Sequence, residues 1–430
     1  MLRTALFSMS LVFIATPTFA QTDTQHQQAM PTLQQRLDMR GKDVVAAMKG
    51  EKDAADIFSD AFLADVPPEK FAEFSAQVQE QFGPVVALEG VAIDPDGQAI
   101  ITILFERASG SGTFVLQNDA SYRVSGLVLD TFQPVEDSPE KLVRDLSAFR
   151  GKTAAWFGPI DGSQTLLTHN ASTPMAIGST FKLYVLAAIT KAVADGLLQW
   201  DSVVPLGVRS FAGGTLYGWP NGAPITVQTA ASLMISQSDN TATDLLIDVV
   251  GREAVEAQIR ESGHGRPEAM LPVLDTYELV ALKAREAGAR YGNASEQEQR
   301  EIAANLTREP VTAEQVGALF GGDPVRIDTI EWFASMDDQR RILRHLLAMD
   351  DETALAVLGI NPGLGSSALK GWKYAGYKGG SEPGVLNLAW LLQSDEGDWY
   401  MLGLSRNDTA GPVDTAEMEV LAQRILALAN

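Results

Sequence analysis

Ile177-Gly178-Ser179-Thr180-Phe181-Lys182 stands directly before an apolar run over residues 183–193. If that run is helical, Ser179 and Lys182, three positions apart, share one face. A lysine ammonium that is desolvated, or set beside another cation, has a lowered pKa. Its free amine can then take the proton of a serine hydroxyl, the task that histidine performs in other serine enzymes. The start of a helix adds a second advantage, because the Ser179 N–H has no intrahelical partner and is able to donate to a developing oxyanion. The four-residue spacing is weak by itself: Ser138 to Lys141 and Ser367 to Lys370 repeat it, and a serine before a helix often does no more than cap it. Two later segments change its weight. Ser236-Gln237-Ser238-Asp239-Asn240 closes a helical pattern over 227–235, and Lys378-Gly379-Gly380 closes a strand pattern. Taken singly, the first reads as a helix cap and the second as a solvated strand end.

Ser-x-x-Lys, then Ser-Asp-Asn, then a Lys-x-Gly strand, in that order, resembles the motif set of the class A β-lactamases and penicillin-binding proteins, and the resemblance runs from about Lys141 to the C-terminus. It implies Ser179 as the acylated nucleophile, Lys182 as its proton acceptor and Ser238 as the relay to the leaving group. It further implies Asn240 as a holder of the lysine and the substrate amide, with Asp239 turned away to brace the loop. Lys378 would face Ser238 and attract a substrate carboxylate, and the backbone N–H groups of Ser179 and Ser381, beside Gly380, would form the oxyanion hole. Two departures stand out. Gly379 occupies the place where the family usually has threonine or serine, so the hydroxyl that helps hold the carboxylate is missing unless Ser381 supplies one. The family's deacylating Glu-x-x-Leu-Asn segment has its nearest counterpart in Glu268-Ala269-Met270-Leu271-Pro272, where proline offers no side-chain amide to hold a water. Glu268 is a candidate base on that footing, with a surface glutamate as the plainer alternative. These traits resemble most a two-domain subgroup of β-lactamase-like serine hydrolases with a small N-terminal domain. The implied function is an exported serine hydrolase acylated by a β-lactam or a related ester or amide. A D-alanyl-D-alanine carboxypeptidase or esterase, and a penicillin-binding sensor with little turnover, are the alternatives. No cofactor or metal is called for.

The elements that must position these residues are legible in the periodicity. The predicted fold class is α+β. Residues 33–82 carry apolar positions at helical spacing and read as three short helices, and 85–92, 99–106, 112–117 and 122–129 read as strands of an antiparallel meander. This 33–135 unit resembles the small cystatin-like or NTF2-like domains on pattern alone, and Gln133 to Pro139 reads as the linker that ends it. Residues 136–430 are expected to form the β-lactamase/transpeptidase-like domain, an antiparallel sheet with a large helical subdomain. Its strands are predicted at 154–160, 165–169, 374–378, 384–392 and 399–404, enclosing helices that include 281–303 and 312–320, with a last helix over 415–429. Of the aromatic residues, Tyr217 and Trp219, in a glycine-rich loop, are expected to approach a cleft.

Composition narrows the partners. With 33 Lys and Arg against 55 Asp and Glu the net charge is −22, which opposes a nucleic-acid partner. The absence of cysteine removes thiolate chemistry and disulfides. Four histidines, His26, His169, His264 and His345, lack metal-ligand spacing. Residues 1–20, with Arg3, an apolar run and a closing Thr18-Phe19-Ala20, look like a secretory signal peptide, followed by a polar, disordered leader over 21–32. The expectation is therefore a small-molecule substrate (β-lactam, ester or peptidoglycan stem peptide), no membrane anchor after signal cleavage, and a bacterial periplasm as location.

Overall fold

A computed structural model describes residues 31–429 apart from 96, 135, 136, 208–213, 308, 310, 312 and 367. Residues 1–20, expected to be a signal peptide, and most of 21–32, expected to be a leader, lie outside the described residues. The chain divides into two compact units, Met1–Glu136 and Asp137–Asn430.

In the first unit, the helices Leu33–Met48, Asp60–Asp65 and Pro68–Phe82 precede an antiparallel sheet. Thr32 and Gln35 form a capping box at the first helix, and Ser59 caps the second. The strands Val85–Ile93, Ala99–Phe105, Ala108–Leu116 and Val124–Leu127 pair in that order, and Thr131–Pro134 pairs with Ala108–Leu116. Val44, Ile57, Phe58, Phe71, Ile101, Ile103 and Phe114 form the unit's own core. The last strand corrects the linker expectation: Gln133 and Pro134 pair with Ser109 and Ala108, and Pro134, which has no N–H to give, is tolerated at this end position.

In the second unit a five-stranded antiparallel sheet runs Trp372–Glu382, Val385–Ser394, Trp399–Asn407, Lys152–Pro159, Leu167–His169 in spatial order. Residues from both ends of the unit thus share one sheet. Helices Pro139–Ala148 and Thr415–Leu426 cover one face through Leu142, Leu146, Met418 and Ile425. The other face carries the helical part, built on Lys182–Ala194. From Lys182 to Thr190 every residue of that helix is buried and most are apolar, as in a core helix. The single long helix expected over 281–303 is instead three, Thr276–Ala284, Ala287–Tyr291 and Glu296–Ala304. Arg285 turns extended (φ −112°, ψ 162°), and Ser295 with Glu298 forms a new capping box, so the pattern restarts. Among the described residues no helix is long and apolar enough to cross a membrane.

Candidate active site

Ser179 lies in a 3₁₀ turn, Gly178–Phe181, that feeds directly into the buried helix at Lys182. The turn is held from several sides. Asn407 accepts from Ala176 N (2.7 Å) and donates to Ala176 O (3.0 Å). Ile177 N donates to Trp332 O (3.0 Å), and the Phe181 ring stacks on Trp332 at 3.7 Å between centroids. Thr180 Oγ1 accepts from Asn387 Nδ2 (2.9 Å), whose amide is paired in both directions with Gln339. These contacts tie the Ser179 turn to the sheet, to the helix Met336–Ala348 and to Trp332 in the segment before that helix.

Asp239 caps the helix Asn240–Val250 by accepting from Ala242 N (3.0 Å), and its second oxygen accepts from Leu216 N (2.9 Å). It braces the loop rather than facing the site. Ser238, just before the cap, sits at φ +57°, a left-handed conformation that costs a non-glycine residue about 1–3 kcal/mol and collects at functional sites. The kink presents its hydroxyl to two lysines. Lys182, with 0% exposure, donates to Ser238 O (2.7 Å), Ser238 Oγ (3.1 Å) and Asn240 Oδ1 (2.7 Å). Lys378, at 3% exposure, donates to the same Ser238 Oγ (3.1 Å) and to Gly379 O. With both lone pairs of Ser238 Oγ engaged by ammonium groups, its own proton is left to point outward.

Burial lowers the Lys182 pKa well below the ordinary lysine value. The neighbouring Lys378 charge adds to that, and the Asp244 and Asp239 carboxylates oppose it. Burial brings Lys378 down to about 7. The two amines therefore exchange protons far more readily than surface lysines. Although the sequence makes Lys182 the proton acceptor of Ser179, no hydrogen bond between the two is among those formed by the described residues. All three protons of a charged Lys182 are already directed at oxygens, so none is left for Ser179 Oγ, and a lone pair to receive the Ser179 proton appears only on deprotonation.

The strand Trp372–Glu382 is the sheet's edge, and it lies against the nucleophile turn. A Cβ on Gly380 would stand 2.1 Å from Ile177 O and 2.5 Å from Ser179 N, and one on Gly178 would stand 3.2 Å from Ser381 N. Only bare backbone permits this approach, and it brings the amide groups of Ser179 and Ser381 to one side of the site. The strand's end is anchored where Lys283 donates to both Glu331 and Glu382 in a buried cluster. A cavity of about 430 Å³ opens between the segments, and Ser179, Ser238, Asn240, Lys378, Gly380 and Ser381 all line it. Tyr377 and Asn361 line it too, although the motif reading passed over both. Strand alternation was the signal for Tyr377, since it shares a face with Gly379. Tyr217 and Trp219, expected near a cleft, are exposed and are not among the lining residues. Glu268 stands in the turn Pro267–Ala269 with a 62% exposed side chain paired to Arg266 at 3.4 Å, outside the cavity. Of the repeated Ser-x-x-Lys matches, Ser138 is a helix cap for Lys141 N (3.2 Å), and Ser367 lies outside the described residues.

Residues 138–316 match the model of the beta-lactamase enzyme family. This family match falls within the second unit. Solved structures similar to it include a β-lactamase from Sphaerobacter thermophilus DSM 20745, at 23% identity and a TM-score of 0.47, covering 68% of this chain and 94% of that one. A structure of PBP-A is similar at 16% identity and a TM-score of 0.46, covering 68% and 93%. A β-lactamase from Burkholderia phymatum is similar at 14% identity and a TM-score of 0.47, covering 68% and 97%. No curated protein matches the chain significantly. Within the second unit, Ser179, Ser238, Asn240, Lys378 and Ser381 come from three distant segments and line one cavity, with Lys182 bonded to Ser238 and Asn240 behind it.

Proposed function

We propose that the second unit is a serine acyl-transfer enzyme of the β-lactamase-like type, in which a β-lactam or a related ester or amide acylates Ser179 and is then hydrolysed. The observation that carries this reading is the Ser238 hydroxyl held between the Lys182 and Lys378 amines at 3.1 Å from each, at the mouth of a cavity that also holds Ser179. In the forward step the neutral Lys182 amine takes the Ser179 proton as Oγ adds to the carbonyl carbon. The charge that develops on the carbonyl oxygen meets the amides of Ser179 and Ser381. Ser238 passes its outward proton to the leaving nitrogen or oxygen and is recharged from the lysine pair.

Among the described residues that line the cavity there is no aspartate or glutamate, so none of them offers a carboxylate to activate water. This favours slow deacylation and an accumulating acyl-enzyme, the sensor-like limit of the same chemistry. The export signal read in residues 1–20 is part of the same proposal and places the substrate outside the cytoplasm. The test is intact-mass spectrometry after incubation with a fluorescent penicillin and with short-chain esters. A single adduct that decays over minutes to hours is expected, absent in Ser179→Ala. No adduct from any β-lactam or ester removes the reading, and turnover too fast to trap the adduct removes its slow-deacylation part.

A further inference from the structure

On the strand Trp372–Glu382 alternate residues share a face, which puts Tyr377 beside Gly379. The space that a side chain at 379 would fill is already occupied: a Cβ there would stand 2.2 Å from Tyr377 Oη and 2.9 Å from its Cζ. The phenol thus lies directly over Gly379. Its ring is held in a socket. Trp390 packs on it with centroids 4.8 Å apart, and Gly363, at φ +71°, brings bare backbone so close that a Cβ would stand 2.6 Å from Tyr377 Cγ. That loop is itself tied down. Trp390 Nε1 donates to Pro362 O (2.9 Å), and Asn361 donates to Ser236 O (3.1 Å) while accepting from Gly363 N (3.1 Å).

Among the described residues no hydrogen bond uses the Tyr377 hydroxyl, although it lines the cavity together with Lys378 and Ser381. Burial and the Glu419 carboxylate push its pKa up, so it remains a proton donor through the neutral range. An ammonium and two hydroxyls line this cavity, with no carboxylate among its described lining residues. The Glu419 carboxylate lines a neighbouring cavity that Tyr377 also borders. The set in the first cavity can receive an anion.

We infer that Tyr377 is a specificity-determining residue whose phenol donates to a carboxylate of the acyl donor, and that residue 379 is glycine because the phenol takes the place of a side chain there. The inference rests on Ser179 being the nucleophile, which sets where the substrate lies. A donor to a charged acceptor contributes about 1.5–3 kcal/mol, which is about a 10- to 100-fold change in affinity.

The experiment compares benzylpenicillin with its methyl ester, in two readouts. In acylation, Tyr377→Phe is expected to lower the second-order rate for the acid at least tenfold and to leave the rate for the ester unchanged. In equilibrium binding to Ser179→Ala, where no acyl bond can form, adding Tyr377→Phe should raise the Kd of the acid by the same factor and not that of the ester. A second variant, Tyr377→Leu with Gly379→Thr, moves a hydroxyl to residue 379 and should recover part of the preference for the acid. If Tyr377→Phe changes acid and ester equally, or neither, the inference is overturned while Ser179 labelling stands. If the parent is never acylated while Tyr377→Phe still weakens binding of the acid and not of the ester, the nucleophile reading fails and anion binding by the phenol stands apart from it.

Discussion

Lys182 and Lys378 point at one hydroxyl from opposite sides, and their proton affinities differ from a surface lysine for a shared reason, the loss of water around a charge. The consequence is a pH profile with a computable sign. On the proposed mechanism Lys182 must be neutral to accept the Ser179 proton, so acylation is expected to rise with pH through its depressed pKa. Lys378 must be charged to attract an anion, so for a carboxylate-bearing donor the second-order acylation rate should fall again above pH about 7. A neutral ester should show the rising limb alone. Stopped-flow labelling from pH 5 to 9 checks this, and a rising limb alone for both donors would exclude Lys378 from anion binding. The motif residues were readable from the chain because their types and order carry the chemistry. The missing Lys182–Ser179 hydrogen bond was not, since it depends on which acceptors the folded loop brings to the ammonium first.

The edge strand and the nucleophile turn touch through backbone, so the element-scale prediction concerns Gly380. Gly380→Ala puts a methyl 2.1 Å from Ile177 O and forces the strand away from Ser179. A loss of about 1–3 kcal/mol is expected by analogy with overpacked cores, together with at least a tenfold slower labelling as the two amides separate. Chemical denaturation and the labelling rate are the measurements, and a parental labelling rate in a folded variant would show that the amides of 179 and 381 do not act together. The helical run over 281–303 shows where pattern reading fails at this scale. Its apolar spacing does not record that Arg285 turns extended or that Ser295 and Glu298 form a cap, and such local hydrogen bonds interrupt a helix without breaking its periodicity. Gln133 and Pro134 failed in the opposite direction. Proline suggests a linker, yet an end position in a strand needs no N–H from it.

At the scale of the whole molecule, the two units have separate cores: Ile57, Phe58, Phe71 and Phe114 in the first, and the clusters on both faces of the five-stranded sheet in the second. Every residue assigned to the site lies between 179 and 381, within the second unit. Residues 137–430 expressed alone should therefore fold and be labelled by penicillin at the full-length rate. A fragment with native circular dichroism that fails to label would assign the first unit a part in the chemistry. The amino-acid sequence by itself determined the identity and order of the candidate groups, because the proposed nucleophile, base and relay must be particular residue types and helices and strands announce their periods locally. The tertiary structure alone decided that Lys182 spends its protons on Ser238 and Asn240, that Glu268 stays in solvent, and that the Tyr377 phenol fills the space over Gly379. Those outcomes turn on desolvation and on contacts between atoms tens to hundreds of residues apart, which no local pattern encodes.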